Sequence, residues 1–573
     1  MSGQITIEKK KDLGAYYTPK NVADYLARVL MSFARLEKDK KYVVLDPATG
    51  DSALLIALMN VLKRKNSNVA YFGLDIDKEA VSQSRENTST WPVNTCFINT
   101  DALFPYKSKK AKTGWEKLKK KHFPSGVDFI VCNPPWGTST EKYASLSSEF
   151  ETAIGQYDVF DLFIETAIAN LNEGGYYAFI VPDSIYSQEH KPIRKLLFSQ
   201  TTIVKIARIG EGFFSDANIA VSLIFGKKTQ SKGYKVKCIH LPHEIKKKVL
   251  QNEMSLIEAD SVYEHKTPVN TMIEDNYSFL TDIEETDEGL IQKLKFFPKT
   301  GDFVDSYRGV ELSKKGVVLL CPNCKNWFPQ PRIVQESIRC PHCSNYTNSN
   351  RFTSKTIISS QNKRDYERII VGENIFRYIA SPKSYILNNC KGINYKSKDV
   401  YCGTKIVIRK TGVGITAAID YQNCYTNQVV YIVKRKEALS QIITNEVVLS
   451  IINSRVITYY LLKAKGNSSW KSHPYMSQAD VESLPFPRLD LLDEETISRL
   501  KLLTQLVKDN SVGDSDSFSK TADAEIERIV ADLFGFSVDD YRVIYKALQD
   551  AQQMIPFKRL LNISVEEIFQ NGI

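Results

Sequence analysis

A short segment that follows an apolar run carries an unusual combination of side chains. Asn133, Pro134, Pro135 and Trp136 come directly after the run VDFIVC. Prolines have no backbone N–H and fix the chain, which leaves the Asn133 amide oxygen and the Pro134 carbonyl as paired acceptors. An exocyclic amine offers two N–H donors to such a pair, and Trp136 offers a flat face for a base. The alternative interpretation of this segment alone is a structural turn.

Three acidic residues each follow an apolar run. Asp46 ends KYVVLD, Asp75 lies in VAYFGLDID, and Asp101 lies in NTDALF. The small residues of DPATGDS after the first run would let the backbone approach a nucleotide-like ligand closely, and Asp75 could accept hydrogen bonds from two ribose hydroxyls. Because Asp is common in turns, the alternative is that each residue only ends a strand.

Four cysteines have the spacing of a metal site. They form two C-x2-C pairs that are separated by fifteen residues. The first pair is Cys321 and Cys324, and the second is Cys340 and Cys343. Two such turns can bring four thiolates to one tetrahedral ion, which predicts a structural zinc ribbon with no open position for catalysis. His342 is inside the second turn and is not expected to be a ligand. Four unrelated thiols remain the alternative.

The elements that must position these residues follow from the apolar pattern. Strand-like runs alternate with helical stretches such as SALLIALMNVLKRK and DLFIETAIANL over about the first 230 residues. This alternation predicts an α/β fold with a Rossmann-like, doubly wound, mostly parallel sheet. Beyond it, shorter runs such as KIVIRK and NQVVYIVKRK indicate an α+β region, and apolar spacing before Gly535 indicates a helix that ends there.

Length and composition limit the class of protein to which the chain can belong. The 573 residues are 43% hydrophobic, carry a net charge of +10 and include ten cysteines, which excludes a disordered chain or a disulfide scaffold. We expect three parts: residues 1–240, residues 241–490 with the zinc ribbon at 321–343, and a helical segment at 491–573. The apolar stretch 447–462 is interrupted by polar residues and is too short to span a bilayer. No signal-peptide core precedes these parts, so we expect a cytoplasmic protein without a membrane partner.

The order of the motifs resembles a known family. The segments GAYYTPKNVADYL, DPATGDSALL, GLDID, TDALF, NPPW and DVFDLFIETAIANLNEGGYYAFIVPDSI occur in one consistent order, followed by GFFSDANIAVSLIFGKK. This arrangement resembles the gamma group of S-adenosylmethionine-dependent N6-adenine DNA methyltransferases of restriction-modification systems. The likeness covers residues 11–228 closely. It departs from the family pattern at Ser52, which replaces a glycine, and at Trp136, which replaces the commoner tyrosine.

The resemblance implies roles for individual residues. The residues implied to bind the cofactor are Tyr17, Thr18, Pro19, Asp46, Ala48, Gly50, Asp75, Ile76, Asp101 and Phe104. The residues implied to be catalytic are Asn133, Pro134, Pro135 and Trp136, and those implied to stack on the target base are Trp136 and Phe214. We expect Ser52 to have a modest effect on cofactor affinity.

The second half resembles the target-recognition region of the same enzymes more diffusely. The matching pieces are YRGVELSKKG, VGENIFRYI, LSIINSRVITYYLL and SLPFPRL. In such a region basic and polar side chains read DNA bases or contact phosphates, and the candidates are Arg409, Lys410, Lys471 and His473. Arg332 and Arg339 lie between the two cysteine pairs, which leaves open whether the zinc ribbon also contacts DNA.

The sequence therefore predicts a site-specific adenine-N6 methyltransferase that acts on a flipped-out adenine in double-stranded DNA. The expected cofactors are S-adenosyl-L-methionine and a structural zinc ion. Few residues precede the first motif, so we expect no nuclease domain there and a separate cognate restriction endonuclease as partner. We expect a prokaryotic, nucleoid-associated protein. The alternatives are methylation of RNA adenine or of protein glutamine, and a non-catalytic DNA-binding scaffold.

Overall fold

The chain folds as two compact units, Met1–Glu285 and Thr286–Ile573, which we call unit 1 and unit 2. The structure is a computed structural model. It describes residues 17–37, 40–63, 68–91, 93–108, 110–137, 140–141, 143, 148–214, 219–331, 336–464, 476–489, 492–513, 518–552 and 554–570.

Unit 1 alternates strands and helices as the apolar pattern predicts. Its strands are β1 (Tyr42–Asp46), β2 (Val69–Asp75), β3 (Asn94–Asn99), β4 (Val127–Cys132), β5 (Leu171–Pro182), β6 (Thr202–Gly210), β7 (Val221–Lys227), β8 (Lys235–His240) and β9 (His265–Pro268). Its helices are α1 (Lys20–Phe33), α2 (Ala53–Leu62), α3 (Lys78–Thr88), α4 (Ala111–His122), α5 (Val159–Asn170), α6 (Lys191–Gln200), α7 (His243–Leu250), α8 (Leu256–Tyr263) and α9 (Val269–Glu274).

All nine strands form one sheet in the order β3-β2-β1-β4-β5-β7-β6-β8-β9. Strands β1 to β5 pair in parallel, whereas β7 runs antiparallel between β5 and β6. Parallel pairing brings the carboxyl ends of β1, β2, β3 and β4 to the same edge of the sheet. The predicted doubly wound α/β sheet is confirmed, and this edge is where a ligand binds in such folds.

The strands beside this edge are apolar on both faces. Every residue of β1 and β4 is buried, because helices cover both sides of a parallel sheet. Strand β8 ends at His240, where the first part was predicted to end, and β9 adds a further strand to the sheet after this position. Since β8 pairs with β6 and β9 pairs with β8, the first compact unit continues to residue 285.

Unit 2 is an α+β region followed by helices. Its strands are β10 (Val304–Arg308), β11 (Val317–Leu320), β12 (Trp327–Pro329), β13 (Ser337–Arg339), β14 (Tyr346–Asn348), β15 (Thr353–Thr356), β16 (Ile358–Ser359), β17 (Tyr366–Ile370), β18 (Tyr378–Ile379), β19 (Ser384–Leu387), β20 (Lys405–Arg409), β21 (Ala417–Asp420), β22 (Tyr425–Thr426) and β23 (Val430–Arg435). Its helices are α10 (Glu285–Lys295), α11 (Thr300–Phe303), α12 (Lys398–Tyr401), α13 (Asn445–Ile452), α14 (Arg455–Ala464), α15 (Gln478–Glu482), α16 (Glu494–Asn510), α17 (Lys520–Phe534), α18 (Val538–Asp550), α19 (Ile555–Leu560) and α20 (Val565–Phe569).

The strands of unit 2 form several small sheets. Five of them pair in the order β10-β23-β20-β21-β18, four in the order β16-β19-β17-β22, and the cysteine region contains the sheets β12-β11-β15 and β13-β14. The predicted helix before Gly535 is α17, and Gly535 ends it in the left-handed conformation with a φ of 63°.

Buried ion pairs tie the C-terminal helices to the rest of unit 2. The guanidinium of Arg455 at the start of α14 lies 3.2 Å from Asp523 and 3.1 Å from Glu527, both on α17. Within the described residues no single helix is long and apolar enough to cross a membrane. Helices α13 and α14 together are long and apolar enough, but they are bent by 48° relative to each other and largely buried.

Candidate active site and metal centre

The loop after β1 is held in a compact form by the carboxylate at its start. Oδ1 of Asp46 accepts a hydrogen bond from the backbone N–H of Ala48 over 3.0 Å. Gly50 has a φ of 52°, and a Cβ at this position would lie 3.9 Å from the ring of Tyr17. The loop backbone therefore lies close to Tyr17, and a glycine meets the left-handed conformation without cost.

Ser52 also lies in the left-handed region, with a φ of 71°, immediately before α2. The family pattern has a glycine at this position, and the backbone conformation explains why. A side chain in this region costs about 1 kcal/mol. The Ser52 hydroxyl is fully buried and lies 3.2 Å from Oγ1 of Thr49, and this contact compensates part of that cost.

Asp75 joins the end of β2 to the loop after β1. Its Oδ2 accepts a hydrogen bond from the Gly50 N–H over 2.9 Å, and its Oδ1 accepts one from the Asp77 N–H over 2.8 Å. A carboxylate can accept about four hydrogen bonds, so this one retains capacity for a ligand hydroxyl. The next side chain, Ile76, is 49% exposed and offers an apolar surface beside the carboxylate.

The acidic residues at this edge influence one another. Burial raises the pKa of Asp46 well above its ordinary value, and the charges of Asp75 and Asp51 raise it further. Burial also raises the pKa of Asp75 and of Asp51. Carboxylates close together in a desolvated site favour a cationic ligand, because a positive charge relieves their mutual repulsion.

Asp101 and Phe104 are covered by a residue that the sequence reasoning missed. The Tyr143 hydroxyl donates to Oδ2 of Asp101 over 3.1 Å, and its ring stacks on Phe104 with centroids 6.1 Å apart. The ring of Phe104 also makes an edge-to-face contact with Phe150. The ring of Phe104 therefore has two aromatic neighbours. No motif pointed to Tyr143, because an isolated aromatic residue in a polar stretch carries no signal.

The Asn-Pro-Pro-Trp segment lies where β4 ends. Nδ2 of Asn133 donates a hydrogen bond to Oγ1 of Thr18 over 3.1 Å, which joins two of the predicted motifs. Pro134 is buried and Asn133 is half-buried. After Trp136 the chain turns at Gly137, whose φ is 63° and whose N–H donates to Oδ2 of Asp158 over 3.1 Å. Asp158 thus fixes the far end of the segment.

Trp136 lies close to Phe214, and these are the two residues that the resemblance implies to stack on the target base. Their ring centroids are 5.3 Å apart with an edge-to-face angle of 68°, and both side chains are buried. A base stacked between two rings needs roughly 7 Å, that is, two contacts of about 3.5 Å each. Because the two rings are in direct contact, a base could stack between them only if one of the rings moved.

The side chains at this edge fit S-adenosylmethionine. The sulfonium of that molecule carries a positive charge, which matches the carboxylates of Asp46, Asp51 and Asp75. Its ribose hydroxyls match the remaining acceptor capacity of Asp75, and its adenine is flat and apolar, like the exposed surface of Ile76. The apolar and acidic groups are therefore those that such a cofactor requires.

The four predicted cysteines converge in unit 2. Their Sγ atoms all lie within 4.8 Å of one another, and two separations are 3.8 Å (Cys321 to Cys343) and 3.7 Å (Cys324 to Cys340). A tetrahedral zinc ion with Zn–S bonds of about 2.3 Å requires S–S separations of about 3.8 Å. The donor set and its spacing fit zinc.

The two cysteine turns have the same backbone geometry. In the first, the N–H of Lys325 donates to the Cys321 carbonyl over 3.0 Å; in the second, the N–H of Ser344 donates to the Cys340 carbonyl over 2.9 Å. Lys325 and Ser344 have φ values of 57° and 59°. Each turn thereby directs both of its sulfur atoms to one side.

The basic residues predicted to contact DNA are partly described. Arg409, at the end of β20, donates from Nε to the Thr411 carbonyl over 2.9 Å. It lines a cavity of about 570 Å³ in unit 2, together with Arg377 and Phe557. Lys471 and His473 lie outside the described residues, as does Arg332.

Two family models match the chain. One, described as N-6 DNA Methylase, matches residues 3–292, and the other, described as a TaqI-like C-terminal specificity domain, matches residues 367–486. The first match covers the whole of the large sheet. The second contains strands of two of the four sheets that the structure describes in unit 2.

Curated relatives match about two fifths of the chain. The chain is 25% identical over 244 residues to the type II methyltransferase M.BanIII of Aneurinibacillus aneurinilyticus, a match that covers 40% of this chain and 42% of the relative. It is 29% identical over 240 residues to the type I restriction enzyme MpnII methylase subunit of Mycoplasma pneumoniae, covering 39% and 41%. The match thus spans about two fifths of the length of these relatives.

Two solved structures share the fold over most of the chain. The type IIL restriction-modification enzyme MmeI, solved in complex with DNA, has a TM-score of 0.54 at 11% identity, covering 96% of this chain and 80% of that one. A nuclease-deletion mutant of the type ISP enzyme LlaGI, solved with a DNA substrate mimic, has a TM-score of 0.50 at 13% identity, covering 86% and 54%. At these identities the likeness concerns the fold alone.

Proposed function

Because the chain belongs to the N-6 DNA methylase family, we propose that it methylates N6 of adenine at a specific sequence in double-stranded DNA. The observation that carries the proposal is the hydrogen bond between Asn133 and Thr18. It joins the candidate base-binding segment to the candidate cofactor-binding segment. A methyl transfer needs its two reactants side by side, so these motifs have to meet.

S-adenosylmethionine would supply a methyl group on a positively charged sulfonium. In our proposal Asp75 accepts hydrogen bonds from its ribose hydroxyls, and Asp46 holds the backbone of the loop that contains Ala48 and Gly50. Gly50 allows the left-handed backbone conformation of that loop, which lies beside Tyr17. Asp101 accepts a hydrogen bond from the adenine amino group of the cofactor. The remaining residues of this site are Thr18, Pro19, Ile76 and Phe104.

The target amine is held by two acceptors. The Asn133 side-chain oxygen and the Pro134 carbonyl accept hydrogen bonds from its two N–H groups. These bonds localise the nitrogen lone pair and aim it at the methyl group. Pro135 fixes the chain that follows, since its ring prevents rotation about φ. An in-line transfer depends on the alignment of the reacting atoms, so positioning contributes more than acid–base chemistry.

The target adenine must leave the DNA helix to reach these acceptors, which costs a few kcal/mol. Stacking on Trp136 and Phe214 offsets this cost, because stacking of a base on an aromatic ring contributes about 1–3 kcal/mol. The two rings contact each other in the structure. We infer that the incoming base separates them and replaces their mutual contact with its own.

Unit 2 supplies the specificity in this proposal. The matched specificity domain supports DNA as the partner, and a structural zinc ion held by Cys321, Cys324, Cys340 and Cys343 stabilises the ribbon. A separate restriction endonuclease would be the companion enzyme in a prokaryotic cytoplasm. The protein would then protect sites that the companion cleaves.

The experiment that tests the proposal measures substrate class. The protein is incubated with S-adenosylmethionine labelled on the methyl group and, in separate reactions, with duplex DNA, RNA and a glutamine-containing protein extract. We expect label in duplex DNA. Label in RNA or protein alone would reject DNA as the substrate, and no label in any of them would reject catalysis.

A further inference from the structure

The hairpin of the second cysteine turn has one face that its own fold does not use. Strands β13 and β14 pair with Ile338 opposite Thr347, and both of these side chains are buried. Because side chains alternate along a strand, the neighbouring pairs point the other way. These outward residues are all exposed, and they are Ser337, Arg339, Tyr346 and Asn348.

The exposure of Tyr346 is the most unusual feature of this face. Its side chain is 72% exposed, whereas the core of the ribbon is built from Leu319, Phe328 and Ile338 together with the cysteines. Tyr346 lies directly opposite Arg339 across the two strands. Tyrosine is enriched at interfaces because it combines an apolar ring with a polar hydroxyl, and here it lies beside an exposed cation.

All four outward side chains carry hydrogen-bond donors. Arg, Tyr, Ser and Asn are residue types that contact DNA phosphates. The surrounding sequence is also positively charged. Between Cys321 and Thr356 it has five basic residues and one acidic residue, Glu336. Glu336 is exposed and directly precedes β13. A surface of this composition attracts a polyanion.

The hairpin also holds these groups in fixed positions. The guanidinium of Arg339 donates to Oγ of Ser344 over 3.1 Å, and the N–H of Cys340 donates to the Asn345 carbonyl over 3.0 Å. The pairing of the two strands and the hydrogen bonds of the cysteine turn therefore restrain the outer face. A two-stranded ribbon is also one of the elements that a DNA major groove admits.

We propose that the outer face of this hairpin, formed by Ser337, Arg339, Tyr346 and Asn348, contacts the phosphates of duplex DNA. This inference rests on the proposed function, since it assigns the ribbon to the same DNA substrate. It adds a contact that anchors the duplex independently of the base at the active site. Arg339 supplies charge, and the Tyr346 hydroxyl supplies a neutral donor.

The test measures the affinity of the full-length, metal-containing protein for a fluorescent duplex several helical turns long, over a series of salt concentrations. We expect Arg339→Gln to weaken binding about three- to tenfold and to reduce the slope of log K against log salt by about 0.9, the value for one lost phosphate contact. Tyr346→Phe should weaken binding without changing the slope, because it removes a donor but no charge.

Two further variants keep the result interpretable. Arg339→Lys retains the charge, so the slope should return to the wild-type value; if binding is lost in this variant as well, damage to the hairpin explains the result and the inference is overturned. Arg542→Gln removes another exposed arginine of unit 2, on α18, and should leave the slope unchanged. An equal change in this control would also overturn the inference.

The outcome separates this inference from the proposed function. If the wild-type protein does not bind duplex DNA, the proposed function fails. If the wild-type protein binds and methylates DNA while Arg339→Gln and Tyr346→Phe bind equally well, only the assignment of the hairpin fails.

Discussion

Nδ2 of Asn133 donates a hydrogen bond to Oγ1 of Thr18 over 3.1 Å. These residues are 115 positions apart in the sequence and belong to different motifs. The bond fixes the amide of Asn133, because its nitrogen faces Thr18 and its oxygen is directed away. The orientation of the candidate acceptor therefore depends on a residue of the candidate cofactor site.

Replacing Thr18 tests this dependence. Thr18→Val keeps the shape of the side chain but removes the hydroxyl acceptor, and a hydrogen bond of this kind contributes about 0.5–1.5 kcal/mol. We expect kcat for DNA methylation to fall about two- to tenfold. Thr18→Ser keeps the hydroxyl and should retain most of the activity. Equal kcat values for the valine, serine and wild-type proteins would contradict the role given to this bond.

The contact between Trp136 and Phe214 leads to a second prediction. Phe214→Ala removes one stacking partner, which contributes about 1–3 kcal/mol to holding a flipped base. We expect kcat/KM for DNA to fall by about one to two orders of magnitude. The fluorescence of 2-aminopurine at the target position should also rise less when the protein binds. Cofactor affinity serves as the control, and an equal loss there would assign Phe214 to the cofactor site instead.

The buried carboxylate of Asp46 predicts a pH-dependent stability. Because burial raises the pKa of Asp46, the folded chain binds its proton more tightly than the unfolded chain. The free energy of unfolding then decreases as the pH rises from the ordinary value of about 3.9 to the raised pKa, and stays lower above it. Asp46→Asn removes this loss and can still accept the Ala48 N–H. In the absence of cofactor, the Tm of Asp46→Asn should exceed that of the wild-type protein by an amount that grows as the pH rises. A Tm difference that does not change with pH would contradict this prediction.

The cysteine cluster predicts a metal content. We expect about one zinc ion per chain by elemental analysis, and Cys340→Ser should lose most of it and lower the Tm. Cys402→Ser is the matched control, because Cys402 is a free, half-buried cysteine of unit 2 that is not part of the cluster. Full retention of zinc by Cys340→Ser, or its absence from the wild-type protein, would contradict a four-cysteine zinc site.

The strands of the large sheet could be predicted because buried parallel strands have continuous apolar sequences. The runs ending at Asp46 and Cys132 coincide with β1 and β4. The convergence of the four cysteines could be predicted for a similar reason, since a C-x2-C turn has few possible conformations. In both cases local sequence determines the geometry.

Other features depend on contacts that local sequence does not encode. The left-handed conformation of Ser52 is imposed by the loop around it, and serine is not a residue that signals this conformation. The contact of Tyr143 with Asp101 and Phe104 joins segments that share no pattern. The edge-to-face contact between Trp136 and Phe214 likewise requires β4 and β6 to be placed in one sheet first.

The central claim is that Asn133 holds an adenine amine of duplex DNA for methylation. The most direct measurement is the identity of the methylated nucleoside in DNA treated with the protein and S-adenosylmethionine, determined by digestion and mass spectrometry. We predict N6-methyl-2′-deoxyadenosine in DNA treated with the wild-type protein and none in DNA treated with Asn133→Ala. A methylated cytosine, or equal N6-methyladenine from Asn133→Ala and the wild-type protein, would contradict the account.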